Sequence, residues 1–307
     1  MRVHVICGVS VALVLFPATF IVGGQPRDQA GFVSDIDSFA NTALRDGPIA
    51  GMSVAVVRNG KAVRMKGYGF ANLEHDAPAT PETVYRIRSV SKMFTAVAIL
   101  QLVEQGKISL DDDLTKVLPD YPTHGQSVKV RHLLSHTSGI KNYGGPSWRK
   151  NKRLDLSPAE WLALVKDEPL EFPPGTNYNY SNTGYDLLAL IVEKASGETY
   201  PDYIRKHIAE PAGLKNTGYC TNQAVIKNRA APYEVVKEAR VNADAWGNSG
   251  SGSAMLCSTV VDLVQFQEAL NVHRFIAAAS VTRMNEAAQS ADAPHIGRGL
   301  GTGRRGI

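Results

Sequence analysis

Apolar positions recur along this chain at several spacings, and each spacing predicts an element. Phe32, Val33, Ile36, Phe39, Ala40 and Ala43 share one face at helical spacing, so residues 31–44 read as an amphipathic helix. Met52-Ser-Val-Ala-Val-Val57 and the run 62–70 are β-rich, with Arg58-Asn59-Gly60-Lys61 between them. Asn-Gly in that position is a strong hairpin signal, because both residues tolerate positive φ. Over residues 89–105 the apolar side chains lie almost all round (Val90, Met93, Phe94, Val97, Ile99, Leu100, Leu102, Val103), which predicts a central buried helix closed by Gly106. Helical segments then dominate to about Gly218, at 130–135, 157–166, 183–196 and 200–209, with Pro- and Gly-rich turns between them. A last helix is expected over 259–270, and the tail from Ala291 is rich in Gly and Arg. A lone hairpin is marginal in water, so either further strands lie near 225–241 or the sheet is incomplete.

The first 24 residues follow a different logic. Arg2 and His4 precede an apolar run over 5–22, no acidic residue comes before Asp28, and Gly23 and Gly24 are small. These are the features of a secretory signal peptide. An uncleaved anchor is the alternative, since the run approaches the roughly 20 apolar residues that span a bilayer. The expected location is therefore periplasmic or extracellular, free or anchored through this segment. Export lets Cys220 and Cys257 form a bridge worth roughly 3–4 kcal/mol, and two separate buried thiols are the other reading.

Composition narrows the function classes. With 307 residues, 44% apolar and 20% charged, the chain is long enough to bury a core and ordinary enough to exclude a disordered or fibrous protein. A net charge of +4 leaves no electrostatic footprint for nucleic acid. Arg149, Lys150, Lys152 and Arg153 form a basic cluster that reads as a solvated loop. Three cysteines are too few for a disulfide scaffold or a four-thiolate zinc site.

Several catalytic signatures are missing. The chain has no G-x-S-x-G and no P-loop. His132 and His136 have the spacing of a zinc helix, but Leu133 stands where the general-base Glu belongs, so they are expected to pack a helix and a turn. S-x-x-K occurs three times, as Ser89…Lys92, Ser138…Lys141 and Ser147…Lys150. At i and i+3 the amine lies beside the hydroxyl, and a buried Lys loses its proton readily enough to serve as base. Ser89 heads the buried helix, whereas Ser138 precedes Gly139 and Ser147 lies among basic residues. A helix-capping Ser is the plain alternative for Ser89. Tyr180-Ser181-Asn182 supplies a phenol that can relay a proton and an amide that can hold a carbonyl. Its plain alternative is a turn before the helix at 183.

Ser89-Val-Ser-Lys-Met-Phe-Thr-Ala-Val-Ala98, Val130-Arg-His-Leu-Leu-Ser-His-Thr-Ser-Gly139 and Phe172-Pro-Pro-Gly through Tyr180-Ser-Asn182 follow one another in order. Together they resemble the class C β-lactamase-like serine hydrolases, a family that includes D-alanyl-D-alanine carboxypeptidases and family VIII esterases. Gly252-Ser-Ala-Met-Leu-Cys-Ser-Thr-Val-Val-Asp-Leu-Val264 resembles the small-residue segment before that family's late helix. The resemblance implies an α/β (α+β) fold: an antiparallel sheet flanked by helices, forming one domain over 25–307 with a mostly helical subdomain at about 107–220. It implies Ser89 as nucleophile, Lys92 as its partner, Tyr180 as general base and acid, and Asn182 in substrate binding. It implies no metal or organic cofactor. The implied partners are a small-molecule or peptide acyl substrate, with the cell envelope at the periphery.

One departure stands against the family pattern. No K-T-G or W-x-G occurs, and His295-Ile-Gly297 matches H-x-G but precedes Gly299-Leu-Gly301, which resembles the segment before that motif. The chain therefore reads as ending before its last strands, with a second oxyanion donor absent. Such a loss costs about 10²–10³ in rate, so a weak or unstable catalyst is expected. The leading reading is an exported serine hydrolase acting through an acyl-enzyme on a D-alanyl peptide, β-lactam or carboxyl ester. The alternative is a non-catalytic penicillin-binding-like module.

Overall fold

A computed structural model describes residues 29–143, 156–243 and 251–285. The apolar run at 5–22, the basic cluster at 149–153, Ser147 and His295-Ile-Gly297 lie outside the described residues. The strands are β1 (Gly51–Arg58), β2 (Lys61–Asn72), β3 (Ala77–Pro78), β4 (Tyr85–Arg86), β5 (Gly218–Tyr219), β6 (Tyr233–Val236), β7 (Ala239–Asn242) and β8 (Leu256–Ser258). The helices are α1 (Gln29–Asp46), α2 (Ser91–Glu104), α3 (Leu114–Val117), α4 (Val130–Leu134), α5 (Pro158–Ala163), α6 (Asn182–Ser196), α7 (Tyr200–Ile204), α8 (Val260–Asn271) and α9 (Ala278–Asn285). These residues divide into two bodies, one of 29–85, 225–243 and 258–264, the other of 86–143, 156–224, 251–257 and 265–285.

In the first body, β1, β2 and β3 form an antiparallel sheet in that order. The turn between β1 and β2 is the expected one: Asn59 (φ 52°) and Gly60 (φ 72°) are both left-handed, and Arg58 faces Lys61. Arg64 and Tyr68 are four apart on β2 and so share a face. Both reach Asp37 of α1, Arg64 through a fork at 2.8 and 2.5 Å and Tyr68 through its hydroxyl. A second hairpin, β6–β7, turns at Lys237 (φ 48°) and Glu238 (φ 69°), in the interval where the sequence left strands open.

The second body is built round α2. Ten of its side chains are buried, from Ser91 to Leu102, and Phe94 stacks on Phe266 at 4.0 Å between ring centres. Helices α6 and α7 pack against it. Gly218 and Tyr219 pair with Cys257 and Leu256, and Cys220 and Cys257 are joined by a disulfide with their Cα atoms 5.3 Å apart.

The helix expected at 89–105 is corrected at its start. A 3-10 turn covers Arg88–Val90 and α2 begins at Ser91, while Gly106 (φ 69°) ends it as expected. The segment 200–209 is α-helical only through Ile204 and continues as a π turn. Among the described residues no helix is long and apolar enough to cross a membrane.

Candidate active site

Ser89 is positioned from both sides. Upstream, the Ile87 N–H donates to Leu256 O at 3.0 Å, and Arg88 takes a left-handed conformation (φ 49°) that costs a non-glycine residue about 1–2 kcal/mol. Downstream, the chain passes from the 3-10 turn into α2 between Ser89 and Lys92, and residues three apart on a helical path are neighbours, so the hydroxyl and the amine lie side by side. Ser89 is exposed and Lys92 is buried: the hydroxyl faces solvent and the amine lies behind it. Neither hydroxyl of the Ser89-Val-Ser91 run caps the helix, so the capping reading of Ser89 is overturned. Ser91 Oγ instead accepts the Leu256 N–H at 3.1 Å, and Thr95 Oγ1 donates to Gly252 O at 2.7 Å. This inner polar stripe of α2 fastens the segment 252–256 alongside Lys92.

Tyr180 is carried by a loop laced to the turn after α4. Gly139 O accepts the Glu171 N–H at 2.8 Å, Thr137 O accepts the Gly175 N–H at 2.7 Å, and His136 O accepts the Asn179 N–H at 3.0 Å. His136 Nδ1 takes the Ser181 N–H at 3.2 Å, which leaves the proton of a neutral ring on Nε2. Gly139 (φ 72°) is needed here, because a Cβ would come within 2.1 Å of Phe172 O. The H-T-S-G and F-P-P-G segments are therefore two halves of one support. Ser181 then caps α6, its Oγ accepting the Gly184 N–H at 3.1 Å. The turn-before-a-helix reading of Tyr180-Ser181-Asn182 is correct for its middle residue, and the two flanking residues face Lys92.

The geometry at the centre is compact. Ser89 Oγ lies 2.7 Å from Tyr180 Oη and 3.4 Å from Lys92 Nζ. Lys92 Nζ donates to Asn182 Oδ1 at 2.7 Å and to Ser253 O at 2.8 Å, and it lies 4.8 Å from the Tyr180 ring centre and 5.3 Å from that of Tyr185. Burial pulls Lys92 down from the usual lysine value to about 7, with the charge of Asp186 acting in the opposite sense. A neutral amine has two hydrogens and one lone pair. With its hydrogens committed to Asn182 and Ser253, the lone pair is left for the Ser89 hydroxyl. Ser253 Oγ lies 3.2 Å from Tyr143 Oη, and Asn142 Oδ1 accepts the Asn182 N–H at 2.9 Å.

Ser89, Lys92, Tyr180 and Asn182 are thus brought together, as the sequence motifs imply. The second S-x-x-K is not a pair of this kind: Lys141 bonds Glu168 at 2.8 Å and Ser138 Oγ takes the Ile140 N–H. His132 and His136 do separate work, His132 accepting the Lys129 N–H at the start of α4. Among the described residues no group of three His, Cys, Asp or Glu could hold a metal ion. Sequence reasoning gave His136 only a packing role, and none to Asn142, Tyr143, Asp186 or Ser253. The small-residue run Gly252-Ser-Ala254 was the signal for Ser253, and Asp186 in the apolar run Tyr185–Leu188 was the signal for itself.

A family model described as Beta-lactamase matches residues 36–304. Protein flp of Staphylococcus aureus (strain MRSA252) is 34% identical over 208 residues, covering 65% of this chain and 41% of that protein. Among solved structures, the octameric penicillin-binding protein homologue from Pyrococcus abyssi superposes with a TM-score of 0.78 at 31% identity, over 88% of this chain and 64% of that one. EstCE1, described as a hydrolase with promiscuous acyltransferase activity, superposes with a TM-score of 0.77 at 25% identity, over 89% of this chain and 82% of its own. The chain spans less than half the length of the curated relatives it first matches.

Proposed function

Since this chain belongs to the beta-lactamase family, we propose that it is an exported serine hydrolase that cleaves an amide or ester bond through an acyl-enzyme on Ser89. The observation that carries this reading is a hydroxyl shared between Tyr180 Oη and Lys92 Nζ, with the amine's other contacts already filled. Neutral Lys92 accepts the Ser89 proton as Oγ attacks the acyl carbon. Tyr180 gives its proton to the departing nitrogen or oxygen and is reprotonated from the Lys92 ammonium. Water then attacks the acyl carbon, its proton passes to this relay, and Ser89 leaves with a proton returned. Hydrolase and acyltransferase activity in EstCE1 fit such an intermediate, which water or another acceptor can resolve. The first 24 residues and the Cys220–Cys257 bridge support export. The substrate classes proposed are a D-alanyl peptide, a β-lactam and a carboxyl ester.

The lack of K-T-G and W-x-G favours a second reading, a non-catalytic penicillin-binding-like module. Intact-mass spectrometry after incubation with a penicillin or a fluorophosphonate separates the two. The hydrolase reading expects an adduct on Ser89 that Ser89→Ala abolishes. It also expects a labelling rate that rises with pH and is half-maximal near 7, because Lys92 must be neutral to act. A folded sample that takes no label favours the binding module.

A further inference from the structure

Asp186 is a buried ionisable group that the reaction above leaves unused. It lies on α6 one turn beyond Asn182, on the same helix face, and is 1% exposed. Its Oδ1 accepts the Ser253 N–H at 3.0 Å, and the carbonyl of that same Ser253 holds Lys92 Nζ at 2.8 Å. Its Oδ2 has no hydrogen-bond partner among the described residues. Removing a carboxylate from water costs several kcal/mol, and well-packed apolar side chains often replace such groups without loss of stability. A carboxyl kept here, tied to the residue whose carbonyl holds Lys92, calls for an explanation outside stability.

We propose that Asp186 is a positioning residue for the reaction at Ser89: it fixes Ser253 so that the Ser253 carbonyl holds Lys92, and its negative charge acts on the Lys92 amine from behind. This rests on the reading of Ser89 as nucleophile. Asn182 and Asp186, one turn apart, then grip the base by two routes, one direct and one through Ser253.

The groups that feel the Asp186 charge are Lys92 of α2, Tyr143 ahead of α5, Tyr200 at the start of α7 and Tyr219 of β5. The rings of Tyr180 and Tyr185 face Lys92. Tyr143, Tyr200 and Tyr219 are pushed up by burial and by that charge, so they stay neutral at physiological pH. Lys92 and Asp186 are left to exchange charge there. Burial is the larger effect and leaves Asp186 raised to about 7, with Ser253, Lys92 and Gly252 pulling it down, so its charge is present on the alkaline side of that value. Ionised Asp186 in turn raises Lys92 against the effect of its burial. Without that charge, Lys92 gives up its proton at lower pH.

The test is the rate of Ser89 labelling by a fluorophosphonate across pH 5–9, in the full chain and in Asp186→Asn and Asp186→Ala, with thermal melting as the check on folding. Asp186→Asn keeps an acceptor for Ser253 and removes the charge, so its acid limb is expected to move down by about one pH unit. Asp186→Ala removes both, and its limiting rate is expected to fall about 10- to 100-fold as Ser253 loosens. A role confined to stability would lower the melting temperature and leave the limb in place. If Asp186→Asn fails to fold, Asp186→Ser also removes the charge and carries the same expectation for the limb. A labelled wild type with an unmoved limb in the charge-free variant overturns this inference alone. A folded wild type that takes no label overturns it together with the nucleophile reading.

Discussion

Replacing Gly252 with alanine adds a methyl group where three neighbours already stand. The new Cβ would lie 2.3 Å from Tyr185 O, 3.1 Å from Ala189 Cβ and 3.2 Å from Thr95 Cγ2. A carbon beside a carbonyl oxygen settles at about 3.3 Å or more, so something must move by about 1 Å. Tyr185 and Ala189 belong to α6 and Thr95 to α2, all three fully buried, so the turn carrying Gly252 ahead of β8 is the part that yields. That segment includes the Ser253 carbonyl, 2.8 Å from Lys92 Nζ, and a shift of this size opens the bond. The Gly252 O bond from Thr95 is strained as well. Overpacking of this kind costs about 1–3 kcal/mol. Misplacing a catalytic group by about 1 Å costs on the order of 10² in rate. Gly252→Ala should therefore melt at lower temperature and label with fluorophosphonate about a hundredfold more slowly at a temperature where it is fully folded. Gly218→Ala is the control: it lies on β5, paired with the same β8, and its Cβ would meet nothing within 4 Å. It should label at the wild-type rate. Equal labelling by both variants would refute the claim that Ser253 holds the base in place.

Two further outcomes concern stability. Burial, assisted by Arg131 and Lys129, holds His132 down to about 4. The ring's contribution is complete above the unfolded value near 6.5 and is lost as pH falls from there through 4. Urea titrations at pH 7 and pH 5 should differ by about 1–2 kcal/mol for this group, discounted for its exposed part, and most of that difference should vanish in His132→Asn. The Cys220–Cys257 bridge closes a separation of 37 residues, so the Cys220→Ser, Cys257→Ser double variant should lose about 3–4 kcal/mol by equilibrium unfolding.

The elements legible in the sequence were those whose information is local. Asn59-Gly60 fixes its own turn, and a helix apolar all round, such as α2, announces its burial. Strands β3, β4, β5 and β8 have two or three residues each, too few for any alternation to show. At the site, Ser89 and Lys92 were visible because they stand at i and i+3, and Tyr180 and Asn182 because they bring a phenol and an amide two positions apart. Ser253 lies 161 residues from Lys92, and its part is played by a backbone carbonyl, which no side-chain pattern encodes. Asp186 was readable in principle as a lone charge among Tyr185, Leu187 and Leu188, all buried. Its partner in that burial comes from another segment, so the sequence showed the anomaly without its cause.

Helix α2 is buried over ten of its fourteen residues, and its hydroxyls at Ser91 and Thr95 are tied to the backbone beside it. Such a rod cannot roll or slide without breaking both ties, so Ser89 is a fixed point for any evolutionary or laboratory change of specificity. Mutagenic libraries aimed at new acyl donors belong instead on exposed positions of the loop that leads to Tyr180, such as Glu171, Thr176, Asn177 and Asn179, which lie off α2.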